Sequence, residues 1–385
     1  MDTVAEFTGR DGGGSMTTLT YALGGIRRQP FHAGLNLFGL SVGVATVVAL
    51  GMLTKSVDHT LVDALGAGGG DFTVLQEGAS GVSFSTIPED EWEAIAQMPG
   101  VERAIGFVVG FTAVPGRPFL RLIGVTPEQL AELRPSVRSG GLLDGEEEQA
   151  VLGDRAAGVL GAGPGDLVSL GQGVVSVVGV IHTGNSFLDR AVFVPLSSGQ
   201  RIVGRVDAVN IIHVQVAQSH ELRSVTTAIE GEFTDLTTVA SLEEYRRLEP
   251  AAEIVGASNL AVSTMATILG GLAVAAAMAK SALDRTHEIG VLRAVGWSAG
   301  RVVAVVLIEA LVLAAVAVVI GSVAGVLGMQ IMLLQPALGS LIDAAYTPSV
   351  IVVAAVIAVT VALAGAAYPT YRAVRLAPAE ALRFE

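Results

Sequence analysis

The stretch LNLFGLSVGVATVVALGMLT, residues 35–54, is 20 residues long and contains no charged side chain. A helix rises about 1.5 Å per residue, so this stretch is about 30 Å long, which matches the hydrocarbon core of a bilayer. Residues 257–279 and 350–367 are also uncharged, and residues 302–335 carry a single charge, Glu309. These four runs predict a membrane protein with four transmembrane helices.

The overall composition agrees with a chain that lies partly in lipid. Hydrophobic residues make up 51% of the chain and charged residues only 15%, whereas about 25% are charged in an average soluble domain. The first run has an alternative interpretation as a cleaved signal peptide, because Arg27 and Arg28 precede it and Ala49-Leu50-Gly51 supplies small residues for cleavage. A signal-peptide core is roughly 7–15 residues long. The longer run favours an uncleaved anchor.

Residues 56–255 have the composition of a folded aqueous domain. They carry 12 Lys and Arg against 27 Asp and Glu, a net charge of −15, with alternating Val and Ile between Gly and Pro turns. The segments before the first run, between the second and third runs and after the fourth run are richer in Arg. The positive-inside rule therefore places both termini and residues 281–301 in the cytoplasm. The large domain is then extracytoplasmic, on a multi-pass protein of the cell membrane. Its acidity leaves no basic face for nucleic acid.

Each end of this domain has the pattern strand, helix, strand. DFTVLQ, IPEDEWEAIAQMPG and VERAIGFVVGFTAV follow one another from residue 71, and VNIIHVQVA, SHELRSVTTAIEGEF and LTTVAS follow from residue 209. The residues between them, about 119–205, consist mostly of strand-like runs and turns such as GPGD. The predicted fold class is an α+β membrane protein, with four transmembrane helices plus an extracytoplasmic domain of two β-α-β halves and a β-rich insertion.

These features divide the chain into ten segments. They are a disordered leader (1–16), a cytoplasmic amphipathic helix (17–34), transmembrane helix 1 (35–55), the extracytoplasmic domain (56–255, insertion about 119–205), transmembrane helix 2 (256–280), a cytoplasmic segment (281–301), transmembrane helix 3 (302–334), a short external loop (335–347), transmembrane helix 4 (348–369) and a cytoplasmic tail (370–385). The helix at 17–34 depends on the spacing of Leu19, Leu23 and Ile26, and a frayed terminus is the alternative.

No catalytic or metal site is predicted. His182 and His213 lie in strand-like runs and favour core positions, because the chain has no Cys and His220 lies outside the short spacing of a ligand pair. The chain has neither an HExxH motif nor a nucleophile elbow. A phosphate-binding loop needs Lys after Gly, and the only lysines, Lys55 and Lys280, follow Thr and Ala. We therefore expect no cofactor and no ATP hydrolysis on this chain.

The cytoplasmic segment contains DRTHEIGVLRAVGWSAGR, residues 284–301. Ile289, Leu292 and Val295 recur at a spacing that gives a short helix one apolar side. From spacing alone, a stop-transfer loop whose charges only fix the topology is an equal alternative.

This segment resembles the signature of the MacB/FtsX-type ABC transporter permeases, R-x-x-E-I-G-x-x-R-A-x-G. The matching residues are Arg285, Glu288, Ile289, Gly290, Arg293, Ala294 and Gly296, whereas His287 stands where the family often has Arg or Lys. The tail is similar to the family's ending at Pro369, Arg372, Ala373, Pro378, Ala381, Leu382, Arg383 and Glu385. One span, a large outward domain and three further spans follow in the family's order.

The resemblance implies a mechanical transmitter without catalytic activity. The residues implied in ATPase coupling are Arg285, Glu288, Ile289, Gly290, Leu292, Arg293, Ala294 and Gly296. They would dock on an ABC ATPase subunit, present in two copies, which binds ATP and Mg. A second permease, identical or homologous, and membrane lipids complete the expected partners. The expected function is export or extraction of a lipid, lipoprotein or peptide, and the alternative is a membrane-anchored sensor or adhesion protein without an ATPase.

Two further sets of residues in the spans are candidates for a role. Gly39 and Gly43, and likewise Gly321 and Gly325, would let helices approach closely, either at a dimer seam or within one chain. Glu309 lies about two turns into its span, where a carboxylate is costly and by default functional. Its alternatives are a coupling or packing role and simple snorkelling to the inner interface.

Overall fold

The computed structural model describes residues 30–248 except 80 and 172, scattered positions between 257 and 272, residues 297–335, 339, 342 and 344–375. The chain divides into two compact units. The helical unit contains Met1–Met52, Asn259–Met329 and Tyr346–Glu385, and the sheet unit contains Leu53–Ser258 and Gln330–Ala345.

The described part of the chain contains helices and strands in alternation. The helices are α1 (Pro30–Leu65), α2 (Glu89–Ala96), α3 (Pro127–Glu132), α4 (Asp154–Leu160), α5 (Ser186–Asp189), α6 (Leu196–Val203), α7 (Leu222–Glu232), α8 (Leu242–Leu248), α9 (Ala299–Leu333) and α10 (Pro348–Arg375). The strands are β1 (Phe72–Gln76), β2 (Ile87–Pro88), β3 (Val101–Val114), β4 (Arg117–Val125), β5 (Ser136–Gly140), β6 (Gln149–Gly153), β7 (Leu167–Leu170), β8 (Gly173–His182), β9 (Ala191–Pro195), β10 (Ala208–Val209), β11 (Ile211–Val216) and β12 (Leu236–Val239).

Three helices of the described residues are long and apolar enough to cross a membrane. They cover Leu37–Leu65, Ala299–Leu333 and Pro348–Ala367. The predicted second span, residues 256–280, lies mostly outside the described residues, so the count of four spans stays a prediction. Residues 1–29, which hold the predicted leader (1–16) and most of the predicted amphipathic helix (17–34), also lie outside the described residues. The end of the tail lies outside them as well.

The first helix is longer than the predicted span at 35–55. It continues without a break to Leu65, because the apolar spacing of Val57, Leu61 and Ala64 carries on past the charge at Lys55. Its residues 53–65 belong to the sheet unit.

The helical unit packs through small side chains. The buried residues of α9 recur every three or four positions and include Ala310, Ala314, Ala317, Gly321 and Gly325. The α10 helix buries Ala354, Ala358, Ala362 and Ala366 in the same way. Large side chains such as Val319, Val323 and Leu327 are exposed on the other side of α9, where lipid replaces water as their solvent.

Two glycines of α9 lie directly against α1 of the same chain. A methyl group on Gly321 would stand 2.6 Å from Cβ of Val44, and one on Gly325 would stand 2.7 Å from the carbonyl oxygen of Ala45. Both distances are shorter than real contacts allow, so only glycine permits this approach of the two backbones.

The sheet unit interleaves its two β-α-β halves. The β1-α2-β3 half and the β11-α7-β12 half share one sheet in the order β12-β1-β11-β3, with antiparallel pairs throughout. This is the order of a split β-α-β fold. The sheet then continues through the insertion as β4-β9-β6-β8-β5, and β7 pairs with β8.

One strand joins the two parts of the sheet. The first half of β3 pairs with β11 as far as Phe107, and its second half pairs with β4 from Val108 onward. Ile105, Phe107 and Val109 face the main core, whereas Val108 faces the core under α2 and α7. The alternation follows the two-residue repeat of a strand, so β3 contributes to both cores.

We predict that Gly325→Val destabilises the helical unit by about 1–3 kcal/mol, because the added side chain overlaps the α1 backbone. Gly328→Val is the matched control, since nothing lies within 4 Å of its added methyl group. Thermal unfolding of the full chain in detergent measures the difference. Equal unfolding midpoints for the two variants would contradict the close packing of α1 and α9.

Candidate functional site: the stalk joint

The last turns of α1 are built into the sheet unit. We call residues 53–65 the stalk and the place where it meets the sheet the stalk joint. Ala64 is fully buried in the main core together with Ile105 and Phe107, and Leu61 and Leu65 pack against that core. The stalk is therefore part of the folded domain and not a linker to it.

Side chains from three separate parts of the sheet unit bind the stalk. The hydroxyl of Thr73 donates to the Leu65 carbonyl at 2.8 Å, and the amide of Asn185 donates to the Asp63 carbonyl at 2.8 Å. These are two of the four carbonyls that a helix leaves unpaired at its C-terminus. Arg246 of α8 forms an ion pair with Asp58. The side chains complete hydrogen bonds that the helix cannot complete itself.

The loop between α9 and α10 reaches the same unit. The amide of Ala345 donates to the hydroxyl of Ser56, a fully buried stalk residue, at 2.8 Å. The guanidinium of Arg190 donates to the Gly339 carbonyl at 2.7 Å. The stalk and the loop that joins α9 to α10 are thus both tied to the sheet unit.

A glycine-rich turn, residues 66–70, connects the stalk to β1. A side chain on Gly68 would overlap the ring of His213, and one on Gly70 would stand 2.6 Å from the carbonyl oxygen of Val214. Gly69 has a φ of +65°, a conformation that favours glycine. The turn therefore lies directly on β11, with no side chains in between.

His213 fills the space beneath this turn. Its ring is fully buried and lies edge-on to Phe107 at a centroid distance of 5.3 Å. Nδ1 lies 3.2 Å from the hydroxyl oxygen of Thr73, whose hydrogen is donated to Leu65, so the neutral ring acts as the donor. Burial lowers the pKa of His213 to about 3, although the nearby Leu65 carbonyl partly opposes this effect. The ring is neutral at physiological pH.

The residues predicted for ATPase coupling, Arg285 to Gly296, lie outside the described residues. The described residues resume at Trp297. The Arg301 guanidinium lies 5.6 Å from the centre of the Trp297 ring. The carbonyl of Ser298 accepts hydrogen bonds from the amides of Arg301 and Val302, which starts α9. The coupling roles of Arg285 to Gly296 stay predictions.

The structure places the remaining predicted residues on two helices. Glu309 is buried, with 7% of its surface exposed, and α9 also buries Gly321 and Gly325. Gly39 and Gly43 are half-buried on α1. The stalk joint was not predicted from the sequence, although the apolar spacing beyond Lys55 and the run GAGGG were signals for it.

Comparison with protein families gives two adjoining matches. Residues 33–232, just over half of the chain, match the MacB-like periplasmic core domain, and residues 260–378 match the FtsX-like permease C-terminal domain. The chain belongs to the MacB/FtsX-type ABC transporter permeases. The sheet unit of this MacB-like permease is therefore its extracytoplasmic domain, and the apolar helices are its membrane part.

Relatives agree with this family. The macrolide export ATP-binding/permease protein MacB of Brucella melitensis is 25% identical over 94% of this chain, and the match covers 60% of that protein. This chain thus spans less than two thirds of the MacB proteins of Brucella. An uncharacterised ABC transporter permease of Methanocaldococcus jannaschii is 21% identical, with 95% of this chain and 98% of that protein covered.

Two solved structures are similar to part of this chain. The periplasmic region of MacB from Actinobacillus actinomycetemcomitans has a TM-score of 0.36 and 14% identity, covering 44% of this chain and 87% of the other. The extracellular domain of the noncanonic ABC-type transporter YknZ from Gram-positive bacteria has a TM-score of 0.35 and 14% identity, covering 44% and 98%.

The buried imidazole at the joint predicts a loss of stability in acid. The pKa of His213 is about 3 in the folded chain and 6.5 ordinarily, so between pH 6.5 and about 3 the unfolded chain binds the proton and the folded chain does not. The stability contributed by the neutral ring is complete above pH 6.5 and falls by about 1.4 kcal/mol per pH unit below it. When the pH falls from 7.5 to 5.0, the free energy of unfolding of the wild type should decrease by about 2 kcal/mol more than that of His213→Gln. The control is His220→Gln at an exposed histidine, which should behave as wild type, and an unchanged pH profile for His213→Gln would contradict the prediction.

Proposed function

We propose that this permease has four transmembrane helices with cytoplasmic termini and transmits ATP-driven motion to its extracytoplasmic domain. The stalk joint is the observation that carries this proposal. Because the stalk is buried in the domain core and held by Thr73, Asn185 and Arg246, a displacement of α1 would displace the domain with it. A flexible tether would let the helix move without the domain.

The ATP-binding function is assigned to a partner chain. This proposal rests on the absence of a phosphate-binding loop from these 385 residues. Two ATPase copies would bind ATP and Mg and would dock on the segment at 281–301. The apolar side of that segment would fill a groove on the ATPase, and its charges would fix the register.

A second permease, identical or homologous, would complete the transporter. Gly321 and Gly325 are occupied by α1 of the same chain, which leaves Gly39 and Gly43 as the candidates for a dimer seam. The burial of Glu309 supports a packing or coupling role in preference to snorkelling. The cargo would be a lipid, lipoprotein or peptide handled outside the membrane. A macrolide is a further compound to test, because the name of the Brucella relatives refers to macrolide export.

The proposed orientation can be tested because the chain has no cysteine. Ser219→Cys lies on the exposed surface of the sheet unit, and Ser298→Cys lies on the exposed start of α9. We expect a membrane-impermeant maleimide to label the first variant in intact spheroplasts and the second only after permeabilisation. Labelling of Ser298→Cys in intact spheroplasts would overturn the topology.

The coupling segment can be tested with the partner ATPase. We expect the double variant Glu288→Ala, Arg293→Ala to weaken the co-purified complex at least about 30-fold, the effect of losing about 2 kcal/mol at an interface hot spot. ATP hydrolysis stimulated by the permease would fall with it. Arg223→Ala removes an exposed charge from α7 and serves as the control.

Two outcomes would contradict the coupling proposal. Full assembly and full hydrolysis by the double variant would show that residues 281–301 do not dock on the ATPase. Failure of the wild-type permease to bind any ATPase encoded with it would favour a sensor or adhesion protein.

A further inference from the structure

Three metal-ligating side chains meet at one end of the extracytoplasmic sheet. Strands β6 and β8 are parallel neighbours in which Gly153 pairs with Ile181, so the next residues, Asp154 and His182, lie side by side. Asp189 ends α5, and its backbone lies so close to Gly153 that a side chain at position 153 would overlap the Asp189 backbone. The ligands therefore come from three element ends that the fold holds together.

The distances among these side chains match those of ligands around one ion. Nδ1 of His182 lies 2.9 Å from Oδ2 of Asp154 and 3.0 Å from Oδ2 of Asp189, and the three ligand atoms lie within 4.8 Å of one another. At bond lengths of about 2.1 Å, neighbouring ligands are about 3 Å apart around an octahedral ion and about 3.4 Å apart around a tetrahedral ion such as Zn²⁺.

Hydrogen bonding does not account for this arrangement. Nδ1 of His182 and Oδ1 of Asp154 are shielded from solvent, and neither has a partner in hydrogen-bonding geometry among the described residues. A single ring proton can serve only one of the two carboxylates that face Nδ1. Two carboxylates that face one ring nitrogen favour a positive charge beside them, which a bound cation supplies to both carboxylates at once and a protonated imidazole supplies through a single N–H.

The surroundings also orient the most buried ligand. Only 2% of Asp189 is exposed. Its Oδ1 accepts hydrogen bonds from the amide of Thr183 at 2.7 Å and from the hydroxyl of Thr183 at 2.8 Å. Such bonds to the outer oxygen fix the orientation of a ligating carboxylate, here with Oδ2 toward His182.

We propose that Asp154, His182 and Asp189 bind a divalent transition-metal ion of the Zn²⁺ or Mn²⁺ class. One imidazole and two carboxylates suit these ions better than Ca²⁺ or Mg²⁺, which prefer oxygen alone. Three protein ligands leave the remaining positions to water.

The site would stabilise the loop that binds the stalk. Asp189 and Asn185 belong to the same short segment, residues 183–190, and Asn185 donates to the stalk carbonyl of Asp63. Arg190, the next residue after the ligand, donates to Gly339. A bound ion would hold this segment at both ends, so metal supply outside the cytoplasm would set the stiffness of the stalk joint. The metal site itself does not depend on the proposed transport function.

The test uses the full chain in detergent, purified through a tag without histidine and stripped of metal by EDTA that is then removed. Competition with a chromophoric chelator measures Zn²⁺ affinity, and elemental analysis measures stoichiometry. We expect one ion per chain and at least about 100-fold weaker binding for His182→Asn and for Asp154→Asn. Both residues are partly exposed, so these variants should fold. His220→Asn, at an exposed histidine outside the site, should bind as wild type.

Thermal unfolding provides a second readout. Zn²⁺ should raise the unfolding midpoint of the wild type and of His220→Asn but not of His182→Asn, because an ion that binds only the folded chain stabilises it. Binding without a fixed stoichiometry, or equal affinity in wild type and His182→Asn, would overturn the proposal. Displacement of the ion by an equal concentration of Ca²⁺ would overturn its assignment to the transition series.

Discussion

The fold depends on the burial of a helix end in a sheet domain. Ala64 lies in the main core of the extracytoplasmic unit, and Leu61 and Leu65 pack on it. A buried helix end leaves carbonyl groups without partners, a cost of about 1–3 kcal/mol each unless other groups bind them. Thr73 and Asn185 supply these bonds, and the glycine turn lets the chain fold back onto β11. Burial, hydrogen bonding and backbone freedom must therefore all be satisfied at the same few residues.

The membrane helices meet a different constraint, because lipid gives apolar side chains no reason to associate. Contact then depends on how closely backbones can approach. Glycine and alanine make up much of the buried faces of α9 and α10, while larger residues such as Val319, Val323 and Leu327 face outward. Glu309 is also buried on α9, with 7% of its surface exposed. The small residues therefore explain how closely the helices pack, and the burial of Glu309 is a separate feature of the same helix.

Much of this architecture could be predicted from the sequence, because long uncharged runs and regular apolar spacing are local signals. They located α1, α9 and α10 and the strand-helix-strand pattern at each end of the domain. The extension of α1 beyond Lys55 was missed, since a charge was taken as the end of the span. The position of β11 between β1 and β3 could not be predicted, because strand order depends on pairings between distant residues. The same reason hid the cluster around His182, which needs the register of β6 on β8. The docking residues came from family resemblance and lie outside the described chain.

The continuity of β3 has a consequence for evolution. Its 14 residues belong to both the interleaved core and the inserted lobe, so neither could shear past the other without breaking a strand's hydrogen bonds. The lobe also contacts the buried helix end, because its Asn185 donates to the Asp63 carbonyl and its Phe187 and Leu188 share the main core with Ala64. Sequence change in the inserted lobe is therefore constrained where the lobe meets β3 and the helix end, and it is freer on the lobe's exposed surface.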